Sequence, residues 1–142
     1  MELDWAVHHF AAAAAELDAA MAHRMSLTAG DFLALKHLLV TDEPVGSVEL
    51  GRRLGITSGA ATGLVDRLEA AGYAQRRPHP RDRRRRIVTV TRRAEDDIVR
   101  ELRPLAEEIS HLATGLTADQ RQVVSEVLAQ LATLHRHYAR GR

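Results

Sequence analysis

Between Thr57 and Thr91 the chain changes character twice, and this stretch narrows the possible folds more than any other. Residues 58–71 hold Ala61, Leu64, Val65 and Leu68 on one helical face. Ser58, Gly59, Thr62, Gly63, Asp66 and Arg67 lie on or beside the opposite one. Gly72 ends that helix, and residues 76–86 then crowd seven arginines around a single aspartate. Ile87, Val88 and Val90 follow, with β-branched side chains that favour a strand. Pro78, Pro80 and Asp82 mark the connection before them. The expectation is an antiparallel hairpin with strands over residues 73–77 and 86–91 and a densely cationic connection.

Upstream, Thr28 with Asp31 three residues on forms an N-capping arrangement, and Phe32, Leu35, Leu38 and Leu39 supply the apolar face of a helix. Residues 42–46 read as a loop. Ser47 is a fair N-cap for a short helix through Leu54, Gly55 ends it, and residues 56–58 turn into the helix at 58–71. Two helices joined by a tight turn and followed by a hairpin give the order of a winged helix-turn-helix. A helix with so slim an outer face fits a major groove, and a cationic loop beside it reaches phosphates or a minor groove. Double-stranded DNA is the partner this implies. The hydroxyls of Ser58 and Thr62 suit phosphates or base edges, and Ser58 lies near a helix N-terminus, where backbone amides favour phosphate. Arg67, one turn beyond Gly63, suits a phosphate clamp. Gly59 and Gly63 each lower helix propensity by roughly 1 kcal/mol relative to Ala. Either close approach to DNA or tight packing on a neighbouring helix explains them. Asp82 is expected to pair with Arg84 and hold the hairpin, leaving Arg83, Arg85 or Arg86 for phosphates.

Net charge is only +1, but residues 76–86 carry +6, so the remaining chain carries −5. An acidic body with one basic projection favours an oriented approach to a polyanion. The absence of cysteine excludes disulfides, thiolate metal sites and thiol redox switching. No apolar run approaches the roughly 20 residues of a membrane span, and the N-terminus lacks the order of a signal peptide, so a cytoplasmic protein with no membrane partner is expected.

The predicted fold class is mainly α with a small β-hairpin. From residue 4 to about 23, Val7, Phe10, Ala14, Leu17 and Met21 form one apolar stripe. Thr91 is a plausible N-cap for a helix striped by Ile98, Leu102, Leu105, Ile109 and Leu112, with Pro104 expected to kink it. Thr117 and Gln120 form a capping box before a last helix striped by Val124, Val127, Leu128, Leu131, Leu134 and Tyr138. Residues 1–142 read as one domain. A winged lobe over 28–97 is flanked by helices, 1–27 and 98–142, suited to joining two copies.

The segments GITSGAATGLVDRLEAAGY and DRRRRIVTVT closely resemble the MarR family of bacterial transcriptional regulators. Asp82, Arg84, Val90 and Thr91 fall on the wing motif of that family, Asp-x-Arg with a strand ending in Leu-Thr, Val90 replacing the leucine. The resemblance implies a homodimer that places two recognition helices in successive major grooves of a pseudo-palindromic site. In such dimers the half-sites lie about 34 to 36 Å apart. It also implies repression, relieved by a small aromatic or phenolic effector in a crevice beside the dimer region. Trp5, His8, His9, Arg24, Phe32 and His37 are the aromatic or basic residues near that place. The resemblance also allows Arg84 itself to enter the minor groove, and leaves open which wing arginine does so.

Glu107 and His111, at i and i+4 on one helix, have a spacing that can chelate zinc, but a salt-bridged or solvated surface accounts for them with fewer assumptions. No nucleophile and base, phosphate-cradling glycine loop or acid pair marks an enzyme, and no cofactor is called for. A winged helix can instead bind RNA or protein. Against RNA, the segment offers only Tyr73 as an aromatic platform.

Overall fold

The computed structural model describes residues 1–141. Its elements are α1 (Leu3–Arg24), α2 (Ala29–Val40), α3 (Ser47–Leu54), α4 (Ser58–Ala70), β1 (Ala74–Pro78), β2 (Arg86–Val90), α5 (Arg92–Ala113) and α6 (Ala118–Ala139). The fold is mainly α with one two-stranded antiparallel sheet. Contacts divide the chain into two compact units, the first from Met1 to Asp97 and the second from Ile98 onward, with the division inside α5.

In the first unit α2, α3 and α4 close around Phe32, Leu35, Leu50, Val65 and Leu68, all buried. α1 joins this unit by packing on α2, where Met21 and Ala22 are buried and Lys36 of α2 meets Asp18 at 2.9 Å. Further up the α1 stripe, Phe10 lies open to solvent, whereas Val7, Ala14 and Leu17 are half-buried.

The local signals explain most boundaries. Thr28 Oγ1 accepts the Asp31 amide at 3.1 Å, capping α2, and Thr57 does the same for α4 through the Ala60 amide at 3.1 Å. At α3 the expected cap is displaced. Gly46 is the N-cap, without a side-chain bond, and Ser47 is the first helical residue. One residue earlier, the Val88 amide donates to the Val45 carbonyl at 2.8 Å and ties the loop to β2. Gly55, at φ 71°, supplies the left-handed turn from α3 toward α4.

The two helices of that turn touch at Gly51, where a Cβ would lie 2.8 Å from Ala61 Cβ. Gly51→Ala would gain about 1 kcal/mol of helix propensity but overpack a contact where strain typically costs about 1–3 kcal/mol. The expected outcome is a net loss near 1 kcal/mol in urea unfolding. Gly59→Ala, with open space around it, should instead gain a few tenths to about 1 kcal/mol. Equal shifts for the two variants would contradict the close contact.

The hairpin pairs Ala74 with Val90 through to Pro78 with Arg86. Pro78, expected in the connection, forms the last rung, where its missing N–H is least disruptive. Thr91 caps α5 as expected. Its Oγ1 accepts the Ala94 amide at 3.2 Å and donates to the Gly72 carbonyl at 2.7 Å.

In the second unit α5 continues through Pro104 without ending there. α6 opens with the full capping box. The Gln120 amide donates to Thr117 Oγ1 at 3.1 Å, and the Thr117 amide donates to Gln120 Oε1 at 2.8 Å. The predicted apolar stripes exist, yet Leu105, Ile109, Leu112, Val124, Val127, Leu128, Leu134 and Tyr138 are all exposed. α6 has no buried residue at all.

Candidate nucleic-acid interface

The burial of Ala61, Leu64, Val65 and Leu68 turns the opposite face of α4 outward, as the periodicity requires. Ser58, Gly59 and Thr62 are exposed on it and Gly63 is half-buried. A Cβ at Gly59 would meet nothing within 4 Å, and one at Gly63 only Arg67 Nη1 at 3.7 Å. Tight packing on a neighbouring helix therefore does not explain either glycine. Thr62 Oγ1 donates to the Ser58 carbonyl at 3.0 Å, so the hydroxyl hydrogen is held inside the helix. What Thr62 presents outward is a methyl group and acceptor lone pairs.

Arg67 is placed differently from the phosphate clamp expected of it. Its Nε and Nη2 grip the two carboxylate oxygens of Asp31 at 3.0 and 2.9 Å. The Asp31 side chain is 4% exposed and that of Arg67 is 58% exposed. Hydrogen bonding to Asp31, then its charge, raises the Arg67 pKa above the ordinary arginine range. One edge of the guanidinium thus ties α4 to the first turn of α2, and the two Nη1 hydrogens and the second Nη2 hydrogen remain for a phosphate.

The connection between the strands is held chiefly by backbone amides. His79 Nδ1 accepts from the amides of Arg81 and Asp82 at 3.0 and 3.2 Å, and the His79 amide donates to the Arg85 carbonyl at 2.9 Å. Asp82 Oδ1 accepts the Arg84 amide at 3.2 Å, with Arg84 Nε at 3.4 Å. The Asp82 and Arg84 pair forms, but Arg84 remains 93% exposed, so the carboxylate holds the turn mainly through the amide. Arg76 is drawn onto Asp66 and Glu69, and Arg77 donates to Gln75 Oε1. The side chains of Arg81, Arg83, Arg85 and Arg86 make no ion pair among the described residues and are exposed. The cationic projection is thus narrower than the count of arginines suggested, and Arg81 joins it. Four unpaired guanidinium groups beside an open, small-residue helix face form a surface suited to a phosphate backbone and the groove next to it.

Residues 26–85 match the family model described as the MarR family. The matched segment runs from just before α2 to the end of the hairpin connection. The chain is similar to an uncharacterized HTH-type transcriptional regulator, YcgE of Bacillus subtilis (strain 168). It is 33% identical over 91 residues, which are 64% of this chain and 59% of that protein. The match thus spans under two thirds of the relative's length. Among solved structures, the transcriptional regulator Tm0710 from Thermotoga maritima is 24% identical with a TM-score of 0.66, covering 96% of each chain. Wild-type MarR from E. coli, in its apo form, is 23% identical with a TM-score of 0.57, covering 92% of this chain and 97% of that one. Both share the fold.

Within the matched segment, sequence reasoning missed His79, Arg76 and the Asp31 partnership. A histidine between Pro78 and Pro80 was a usable hint of a turn anchor, whereas Asp31 and Arg67 lie 36 residues apart and no local pattern links them. The residues suggested for an effector do not converge within the chain. Trp5 stacks edge-on with His8 and His9 at centroid distances of 6.3 and 5.2 Å. Arg24 ends the same helix about 28 Å away, at 1.5 Å rise per residue. Phe32 is 2% exposed and belongs to the core. Glu107 and His111 both lie on α5, and no group of three metal-ligating side chains occurs among the described residues.

Proposed function

We propose that the chain is a sequence-specific duplex-DNA-binding transcriptional regulator of the MarR type, acting as a homodimer on a pseudo-palindromic operator, rather than an enzyme. The observation that carries this is the set of unpaired arginines on the hairpin beside the open face of α4. A second copy of the chain is the natural cover for the exposed stripes of α5 and α6, because contiguous apolar patches of that kind mark association surfaces. Repression follows from occlusion of a promoter, in the cytoplasm. No helix among the described residues is long and apolar enough to cross a membrane. An aromatic acid meeting Trp5, His8 and His9 is the expected signal for release, by favouring a dimer whose half-site spacing no longer fits DNA.

Selection of bound duplexes from a random pool, followed by anisotropy across a salt series, tests the reading. The expected result is an inverted repeat bound at least about 10³-fold more tightly than a scrambled duplex. A selected pool without common sequence, or tighter binding to single-stranded RNA, overturns it. Sedimentation at micromolar concentration should give twice the chain mass, and Trp5 fluorescence reports the effector when a panel of aromatic acids is titrated.

A further inference from the structure

We infer that Arg76 is a positioning residue for duplex binding, which neutralises Asp66 and Glu69 on the reading face of α4 and ties that face to the first strand of the wing. The inference rests on the duplex reading above. Ser58, Thr62, Asp66 and Glu69 are spaced by four, four and three, so they form one stripe along α4. Its N-terminal half offers hydroxyl groups and its C-terminal half two carboxylates. Left uncovered, those carboxylates would face a polyanion, where like charge lowers both affinity and the rate of approach.

Arg76 comes from β1 and covers them. Its Nη1 lies 2.8 Å from Asp66 Oδ1 and also bonds Glu69 Oε1, while its Nη2 donates to the Thr62 carbonyl at 3.2 Å. The Arg76 side chain is only 24% exposed, unlike those of Asp66 at 64% and Arg84 at 93%. One guanidinium therefore touches three successive positions of the stripe and carries the direction of α4 into the hairpin. Lysine would supply the charge without the fork that reaches all three. The arginine run thus has two jobs: Arg76 works on the protein, whereas Arg81, Arg83, Arg85 and Arg86 project from it.

The test uses Arg76→Gln, Asp66→Asn with Glu69→Gln, and the triple combination, on the full chain with the duplex selected by the wild type and its scrambled control. Arg76→Gln is expected to weaken both duplexes about tenfold, because two carboxylates are unmasked near phosphate. The triple variant should return to within about threefold of wild type, with the wild-type salt slope. A triple variant as weak as the single one, its slope flatter by about 0.9, means that Arg76 itself holds a phosphate and overturns the inference. Amide exchange without DNA gives a second readout. Faster exchange of β1 in both Arg76→Gln and the Asn/Gln pair is expected, and unchanged exchange in both overturns the tie. If Arg76→Gln does not fold, Arg76→Lys replaces it and should keep most of the affinity while exchanging faster at β1. A wild type that selects no duplex overturns the duplex reading together with this inference. A selecting wild type matched by Arg76→Gln overturns this inference alone.

Discussion

Alanine at Arg83, Arg85 and Arg86 together is expected to lower duplex affinity at least about a hundredfold at physiological salt. It should also flatten the log-log salt dependence by about 0.9 per lost phosphate contact. The magnitude follows from counterion release: a positively charged side chain on a phosphate frees condensed ions, and fewer such contacts leave less for added salt to reverse. These three side chains make no ion pair among the described residues, so their removal should leave the melting temperature within a degree or two of wild type. That separates loss of contact from loss of fold. If the slope is unchanged in the triple variant, the wing does not lie on phosphate and the proposed docking is wrong.

The second large effect concerns Asp31 and Arg67 and is a difference between two substitutions. Arg67→Ala leaves a carboxylate that is almost wholly buried without its counter-charge. Stranding a buried charge is among the more damaging changes a fold can suffer. Asp31→Ala instead leaves Arg67, more than half exposed, free to take up water. Thermal melts should therefore show a drop of several degrees for Arg67→Ala and a clearly smaller one for Asp31→Ala. The double variant should recover part of the first loss. Because Asp31 raises the Arg67 pKa, the contribution of the arginine is complete at every pH below the ordinary arginine range and is lost only above it. The gap between wild type and Arg67→Ala should accordingly stay level from about pH 6 to 9. Equal melting temperatures for the two single variants would show that the pair does not anchor α4 on α2.

Legibility in the sequence followed the range of the interactions. The capping box at Thr117 and Gln120, the caps at Thr28 and Thr91, and the inward face of α4 depend on residues within a few positions of one another, and all are present. The α3 N-cap lies one residue before the expected Ser47, and the loop ahead of it is tied by a backbone bond from β2, some forty residues downstream of Val45, that no local pattern shows. Gly51 carried no signal apart from being a glycine in a helix, since the reason for it is Ala61 on another element. Likewise the sequence presents seven equivalent arginines, and only folding sorts them by what lies across from each. The terminal stripes are visible as periodicity, yet most of the α5 and α6 stripe residues are exposed, and periodicity does not name a cover.

The hairpin connection separates its frame from its charge. His79 and Asp82 fix the turn through amides, which every residue but proline possesses, so the shape does not depend on what projects from Arg81, Arg83, Arg85 or Arg86. Guanidinium groups can then be gained or lost one at a time without unfolding the loop. Such a loop can be tuned in small increments: on the proposed docking, each guanidinium added or removed changes the hold on a phosphate backbone by one contact, while the reading helix stays unaltered.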